Sequence, residues 1–288
     1  LDDFAGEVVS ALKVADTGLV MINASQGVEV STELVWEYIQ KFQTPTVFVV
    51  NQVDHEKSDF ERAVDQIKAR FGNNALEVQY PLNQGSGFNK IVDALRMTMY
   101  VFPEDGGKPE KQAIPESELE RAQEMHNQLV EAAAENDEGL MEKFFDEGSL
   151  NEEELARGLT LALANQQFYP IFCCSSTLNM GSGRIMGFIN DIAPSPVDRP
   201  QAKLEGGGTV ACDASGPKCM FVFKTMSEPQ VGMVSYFKVY SGTINSGNDL
   251  VNNNNRGSER LNRIFLSEGK NRINTDQLVA GDIGSTVK

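Results

Sequence analysis

The sequence is poor in the residues that build metal centres and disulfide frameworks. It has four cysteines and two histidines among 288 residues, and no pair of cysteines has the Cys-x-x-Cys spacing. We therefore predict no metal-binding residue. The adjacent Cys173 and Cys174 end an apolar run, which favours small buried thiols over a redox pair.

Long apolar runs and an excess of positive charge are also missing. No apolar run approaches the roughly 18 residues of a membrane span, and residues 1–10 lack the basic-then-apolar layout of a signal peptide. The 25 Lys and Arg residues are outnumbered by 41 Asp and Glu residues, for a net charge of −16. This balance argues against a DNA-wrapping protein, although it is compatible with a local RNA contact. We expect a cytoplasmic protein with no membrane or DNA partner.

The phosphate-binding motif Gly-x-x-x-x-Gly-Lys-Ser/Thr does not occur in this sequence. The run from Gly181 to Gly187 is similar to a dinucleotide fingerprint, but its last spacing is one residue too long. We therefore predict neither a phosphate cradle nor a catalytic residue within this chain.

The first 200 residues alternate between short apolar runs and helical periodicity, which predicts a parallel sheet with crossover helices. Helices are predicted at Phe4–Val14, Glu29–Phe42, Phe60–Phe71 and Ser182–Ile192, the third capped by Ser58. Strands that are fully buried are predicted at Thr17–Asn23 and Thr46–Asn51, and a further short strand at Ile171–Cys174. The fold class expected for this part is α/β.

Residues from about 72 to 166 interrupt this alternation. A strand at Arg96–Phe102, a turn at Glu104–Gly107 and three following helices predict an α+β insertion. After a proline-containing linker at 194–200, residues 201–288 have short strands rich in Val, Phe and Tyr, separated by Gly and Asn turns. This pattern predicts a β-barrel domain at 201–288 after an α/β domain at 1–200.

Two polar motifs directly follow predicted strands of the sheet, where ligands of open parallel sheets bind. Asn51-Gln52-Val53-Asp54 follows one strand, and Cys174-Ser175-Ser176-Thr177 follows another. A carboxylate such as that of Asp54 can accept hydrogen bonds from N1 and the 2-amino group of guanine, and backbone amides of the second motif can donate to its carbonyl. Taken together, the motifs predict a guanine-base half-site formed by Asn51, Gln52, Asp54, Ser175 and Ser176.

The chain resembles elongation factor G, a translational GTPase of the bacterial ribosome, or a paralogue of it. The resemblance is carried by these motifs and by Asp3-Phe4, Pro194-Ser195-Pro196, Val222–Ser227, Val239–Gly242, Glu259–Ile264 and Ala280–Ile283. It implies a fragment containing the later part of the GTPase domain and most of the second domain. The fold implied is an incomplete P-loop GTPase-type parallel sheet with exposed strand edges and an α+β insertion, followed by a truncated β-barrel.

The resemblance also implies function and partners. It implies a role in ribosomal translocation, with GTP or GDP and Mg bound to the full-length protein and none bound to this chain. The implied partner is the ribosome, through ribosomal RNA and the stalk protein. Gln52 stands where the family has lysine, and Leu1 where it has the histidine that orients the attacking water. We therefore expect this chain to be inactive as a GTPase.

Three alternatives remain open at this stage. A ribosomal protection or release-type factor shares both domains, and a ribosome-binding module with weak or no GTP hydrolysis is consistent with Gln52. A generic α/β enzyme is the third alternative, disfavoured by the motifs of the second domain.

Charge is spread unevenly along the chain. Residues 201–288 carry a net charge of +2 and the first 200 residues −18. Within the predicted insertion, Glu116–Ala156 carries a net charge of −12. This stretch is either a solvated helical surface or a dock for a basic partner such as the stalk protein, with Glu118, Glu120 and Glu124 expected near the outer side of one helix.

Overall fold

The computed structural model describes residues 4–104, 107–269 and 271–287. Two compact units are present in it. The first contains the residues up to Val8 together with Ala15–Pro194, and the second contains Val9–Val14 together with the residues from Ser195 onward. Leu1, Asp3, Asp105 and Gly106, which entered the expectations above, lie outside the described residues.

The chain up to residue 194 begins with a helix, most of which belongs to the second unit, and then alternates strands with helices on either side of an inserted segment. Its elements are α1 (Ala5–Val14), β1 (Gly18–Asn23), α2 (Val30–Phe42), β2 (Thr46–Asn51), α3 (Phe60–Phe71), β3 (Ala75–Glu77), β4 (Gln79–Pro81), β5 (Lys90–Asp93), β6 (Thr98–Val101), β7 (Glu110–Gln112), α4 (Glu116–Ala134), α5 (Glu138–Glu147), α6 (Glu152–Ala164), β8 (Tyr169–Cys174) and α7 (Ser182–Asp191). The predicted helices, including the three of the insertion, are confirmed.

The main sheet has the strand order β1-β2-β8-β3, and all its pairs are parallel. Its central strand β2 is buried on both faces. Phe48 and Val50 belong to the core that contains α3, whereas Val47 and Val49 belong to the core that contains residues of α4, α6 and α7. Successive side chains of a strand point to opposite faces, so this arrangement needs the continuous apolar run of β2. Complete burial of a side chain such as Phe48 stabilises the fold by about 2 to 3 kcal/mol.

Strand β1 differs from the expectation of full burial. It forms an edge of the sheet, and Leu19 and Met21 are 46% and 48% exposed. Ile22 and Val20 contact the core on one face, so the alternate residues Leu19 and Met21 lie on the other face. An apolar sequence alone does not distinguish an edge strand from a central one, because neighbours are decided by the tertiary fold.

Three local predictions were also wrong. Asp59 caps α3 by accepting a hydrogen bond from the Arg62 N–H, while the Ser58 hydroxyl donates to the carbonyl of Val53 at 2.9 Å. The strand predicted at 96–102 is shortened to β6, because Met97 adopts a left-handed backbone with φ of 46°. Strand β3 lies within the range predicted as an insertion, yet it joins the main sheet beside β8.

The inserted segment has a small sheet and three helices. Its sheet is antiparallel in the order β4-β5-β6-β7. Helices α4 and α6 approach closely at Gly158, where an added Cβ would lie 2.5 Å from the carbonyl oxygen of Ala133. The absence of a side chain at Gly158 therefore permits this helix contact.

The second unit is rich in β-structure. Its strands are β9 (Ala202–Lys203), β10 (Thr209–Val210), β11 (Cys219–Glu228), β12 (Gly232–Ser241), β13 (Thr243–Asn245), β14 (Asp249–Asn252), β15 (Gly257–Arg260), β16 (Ile264–Glu268), β17 (Asn271–Thr275), β18 (Gln277–Val279) and β19 (Ile283–Val287). Five of them form a sheet in the order β11-β12-β19-β16-β17. The core of this unit consists of Phe237, Val239, Ile244, Leu261, Ile264 and Leu278.

Candidate functional site

The two predicted binding motifs begin side by side at one edge of the main sheet. Asn51 is the last residue of β2, and it pairs in register with Cys174, the last residue of β8. Parallel pairing places the carboxyl ends of both strands at the same edge. The loops that follow, which contain Asp54 and Ser176, therefore start from neighbouring positions, as expected for a site that uses both.

The Asn51 side chain joins the two loops. Its Oδ1 accepts hydrogen bonds from the Ser176 N–H at 3.0 Å and from the Cys174 thiol at 3.4 Å. Its Nδ2 donates to the Ser176 hydroxyl at 2.9 Å. Because a backbone N–H can only donate, the orientation of the Asn51 amide is determined. Asn51 therefore holds the second loop against the first.

Asp54 has a carboxylate oxygen that accepts no hydrogen bond from the described residues. Its Oδ1 is buried, and no group in the described part of the chain donates a hydrogen bond to it. A buried polar atom without a partner costs free energy, about 1 to 3 kcal/mol for a typical group. This cost is removed if a ligand donates to the carboxylate, and the donors of a guanine base have the required chemistry.

The loop after β8 is held by its own backbone. Ser175 and Met180 exchange two hydrogen bonds of 2.9 Å, and the Ser175 hydroxyl accepts from the Leu178 N–H at 3.2 Å. Ser175 is fully buried, so its side chain supports the loop, whereas Ser176 is exposed. The Thr177 side chain is exposed, and its N–H donates to no group among the described residues. Thr177 belongs to the predicted motif, but sequence reasoning did not include it among the candidate residues.

Gly181 ends this loop and begins α7. Its φ of 91° lies in the left-handed region, and an added Cβ would lie 2.7 Å from the carbonyl oxygen of Cys173. Only glycine satisfies both conditions without strain. The loop therefore returns tightly against β8.

A buried ion pair anchors α7 to the inserted segment. The Arg184 Nε donates to the Asp93 carboxylate of β5 at 3.0 Å, and the Asp93 side chain is fully buried. The same carboxylate accepts from Gln79 Nε2 and from the Arg96 N–H, both at 2.9 Å. These bonds compensate for burial of the charge. They hold the start of α7 in place, and the sequence contains no pattern that would have indicated them.

Two buried thiols, those of Cys173 and Cys174, lie at the end of β8 beside these loops. Burial, with a smaller contribution from the charge of Asp54, raises the pKa of the Cys174 thiol to about 12. Burial also raises the pKa of Cys173 well above its ordinary value. Both thiols are therefore neutral at physiological pH, and both are buried and free, as predicted. In the described residues no group of three or more His, Cys, Asp or Glu side chains could hold a metal ion.

Asn23 lies beside the candidate site, and sequence reasoning missed it. It ends β1 in register with Asn51, and its Nδ2 donates to Gln52 Oε1 at 2.9 Å. Gln52 is exposed and has a left-handed backbone with φ of 62°. A signal was present in the sequence, because Asn23 is the polar residue that ends the strand preceding β2.

Comparison with known families identifies this arrangement. The family model of the elongation factor Tu GTP binding domain matches residues 2–195. The chain belongs to this family. The match begins at residue 2, so the expectation that only the later part of the GTPase domain is present is only partly supported. A second model, elongation factor G domain 2, matches residues 217–288.

A solved structure shows the same architecture. The crystal structure of a protein from Thermus thermophilus is similar to this chain with a TM-score of 0.84 and 27% identical residues. The similarity covers 100% of this chain and 41% of that protein, so the chain spans about two fifths of its length.

These findings confirm the fold class as a GTPase-type domain with a parallel sheet followed by a β-rich domain. They also show that the chain carries domains of the translational GTPase family, in which the first domain binds guanine nucleotide. The position of Asn51, Asp54 and Ser176 at the carboxyl edge of the sheet is consistent with this. The helices in the described residues include none that is long and apolar enough to cross a membrane.

Proposed function

We propose that this chain provides the guanine-base half-site and the second domain of an elongation factor G-like translation factor that acts in ribosomal translocation. In this proposal residues 1–200 belong to the GTPase domain, with an insert subdomain at about 72–166, and 201–288 to the second domain. The guanine-binding residues are Asn51, Gln52, Asp54, Ser175 and Ser176. Asn51, Gln52, Asp54 and Ser175 act through side chains that either lie at the site or support its loops. Ser176 completes the contact between the two loops.

The observation that carries the proposal is the unpaired carboxylate oxygen of Asp54. It lies in a loop that starts beside the Ser175–Met180 loop, and Asn51 ties the two together. Guanine offers two adjacent donors, N1–H and the 2-amino group, which match a carboxylate. Thr177 supplies a backbone N–H for the guanine carbonyl. A base bound at this edge would thus meet acceptors on one side and a donor on the other.

The phosphate groups and Mg must be bound by residues outside this half-site. The sequence has no Gly-x-x-x-x-Gly-Lys-Ser/Thr motif, and the described residues contain no cluster of metal ligands. We therefore propose that this chain alone binds neither GTP nor GDP appreciably. In the intact natural protein the half-site would determine which base is accepted.

The proposed partner is the ribosome, in the cytoplasm, through ribosomal RNA and the stalk protein. Support for a contact with the stalk comes from the exposed acidic residues of α4, which include Glu120, Glu124 and Glu131. Glu118 does not belong to this surface, contrary to expectation, because its carboxylate accepts a hydrogen bond from the Tyr80 hydroxyl at 3.1 Å. Long-range attraction between such a surface and a basic partner accelerates association.

A second candidate is a ribosome-binding or ribosomal protection factor with weak or no GTP hydrolysis. Gln52 favours it, because an uncharged amide stands where the resemblance implies lysine. Ribosome-stimulated GTP hydrolysis by the intact natural protein separates the candidates. Turnover supports the first candidate, and stable binding of unhydrolysed GTP supports the second.

The base-reading role of Asp54 is tested with Asp54→Asn in the intact natural protein. An amide can donate to the 2-carbonyl of xanthine, which a carboxylate cannot. We expect GDP affinity to fall about ten- to a hundredfold and the preference to shift towards xanthosine diphosphate. Calorimetry with both nucleotides measures this.

The control for this experiment is Asp65→Asn, which removes the same charge from an exposed position of α3. If the Asp54 and Asp65 variants bind the two nucleotides with equal affinities, Asp54 does not read the base and the proposal fails.

A further inference from the structure

The orientation of the Asn23 side-chain amide is determined by its neighbour Ser25. Asn23 Oδ1 accepts hydrogen bonds from the Ser25 N–H at 2.9 Å and from the Ser25 hydroxyl at 2.8 Å. A backbone N–H can only donate, so the atom that faces Ser25 must be the amide oxygen. The Nδ2 group of Asn23 therefore faces the other way.

This orientation determines in turn what Gln52 presents. The Asn23 Nδ2 donates to Gln52 Oε1 at 2.9 Å, so the Gln52 oxygen faces Asn23 and its Nε2 faces away. Gln52 is exposed, and none of the described residues accepts a hydrogen bond from its Nε2. The two N–H bonds of this nitrogen are consequently what Gln52 offers to a ligand. Without the bond from Asn23, the exposed Gln52 amide could rotate and offer its oxygen to a ligand equally well.

The backbone at Gln52 supports a functional origin for this arrangement. Its φ of 62° is unfavourable for a residue with a side chain, and Asn51 and Asp54 on either side belong to the proposed base site. Strained residues that persist at such positions cluster at binding sites.

We propose that Asn23 is a positioning residue that makes Gln52 an uncharged hydrogen-bond donor to the nucleoside bound in this site. This inference rests on the proposed guanine-nucleotide function. The ligand group at Gln52 must be an acceptor, such as an oxygen of the ribose. Since an amide carries no charge, its contribution to affinity is independent of salt, unlike that of an ammonium group.

Two isosteric substitutions reverse this chemistry. Asn23→Asp keeps the acceptor for Ser25 but replaces the donor with a second acceptor, so Gln52 must rotate and present its oxygen. Gln52→Glu keeps the acceptor for Asn23 but removes the outward donor. We expect each variant of the intact natural protein to bind GDP about three- to tenfold more weakly, in low and in high salt.

The control for added charge is Gln26→Glu. Gln26 is exposed in the same turn, and among the described residues its side chain makes no hydrogen bond to Gln52. Its effect on GDP affinity should be small and should vanish at high salt. The double variant Asn23→Asp with Gln52→Lys restores a donor, because the ammonium can contact both the new carboxylate and the ligand. It should regain the parental affinity.

The outcomes separate this inference from the function on which it rests. If Asn23→Asp and Gln52→Glu bind GDP as Gln26→Glu does, while Asp54→Asn binds it poorly, the base site is retained and the positioning role is refuted. If none of these variants alters affinity, both proposals fall. A lowered melting temperature without weaker binding in high salt, or failure of the double variant to restore binding, also refutes the positioning role.

Discussion

Replacing Gly181 with alanine should destabilise the α/β unit and displace the loop after β8. The backbone of Gly181 has a φ of 91°, which costs about 1 to 2 kcal/mol for an alanine. Its Cβ would lie 2.7 Å from the Cys173 carbonyl oxygen and 3.0 Å from both Cys174 Cβ and Ile91 Cδ1. The two cysteine atoms belong to the central strand β8, so they cannot move away without disturbing the sheet. Such overpacking costs about 1 to 3 kcal/mol.

The two contributions together predict a loss of about 2 to 5 kcal/mol in the free energy of unfolding. Urea denaturation followed by far-ultraviolet circular dichroism measures this loss. The signal reports mainly on this unit, because α2 to α7 lie within it. Since Ser176 and Thr177 belong to the displaced loop, nucleotide affinity of the intact natural protein should fall as well.

The matched control is Gly183→Ala, two residues further along in α7. An added Cβ at Gly183 would have no atom within 4 Å, and its φ is not in the left-handed region. This substitution should be neutral or stabilise the unit by up to about 1 kcal/mol through helix propensity. Equal urea midpoints for the two variants would refute the reasoning about Gly181.

Two further predictions concern a buried thiol and the acidic surface of α4. Because the pKa of Cys174 is raised from 9.0 to about 12, the folded state keeps a proton that the unfolded state loses above pH 9, and stability must fall as pH rises from 9 towards 12. Cys174→Ala should remove about 1.4 kcal/mol of the stability lost between pH 8 and pH 10, as measured by urea denaturation, and parallel curves for parent and variant would contradict this. Replacing Glu120, Glu124 and Glu131 together with glutamine should slow association of the intact natural protein with ribosomes in stopped-flow measurements at low salt, and the difference should shrink as the Debye length approaches about 8 Å. Equal rates at low salt would assign these residues to a solvated surface.

Periodicity and motif position were sufficient for much of the α/β unit. Strand β2 and helix α3 begin and end where the sequence predicted them, because a continuous apolar run and a single apolar face are local properties. The candidate site was located by the same reasoning. Polar residues directly after buried strands must lie at the carboxyl edge of a parallel sheet, whichever strands are neighbours.

What only the tertiary structure decided depends on contacts between residues far apart in sequence. The edge position of β1 follows from strand order, and the half-exposed Leu19 and Met21 are its result. The hydrogen bond from Asn23 to Gln52 exists because β1 and β2 pair in register, and that bond determines which atom Gln52 offers. Sequence alone determined which chemical groups reach this edge of the sheet. The pairing of strands decided which of their atoms are occupied and which remain for a ligand, because a hydrogen bond needs both partners in place.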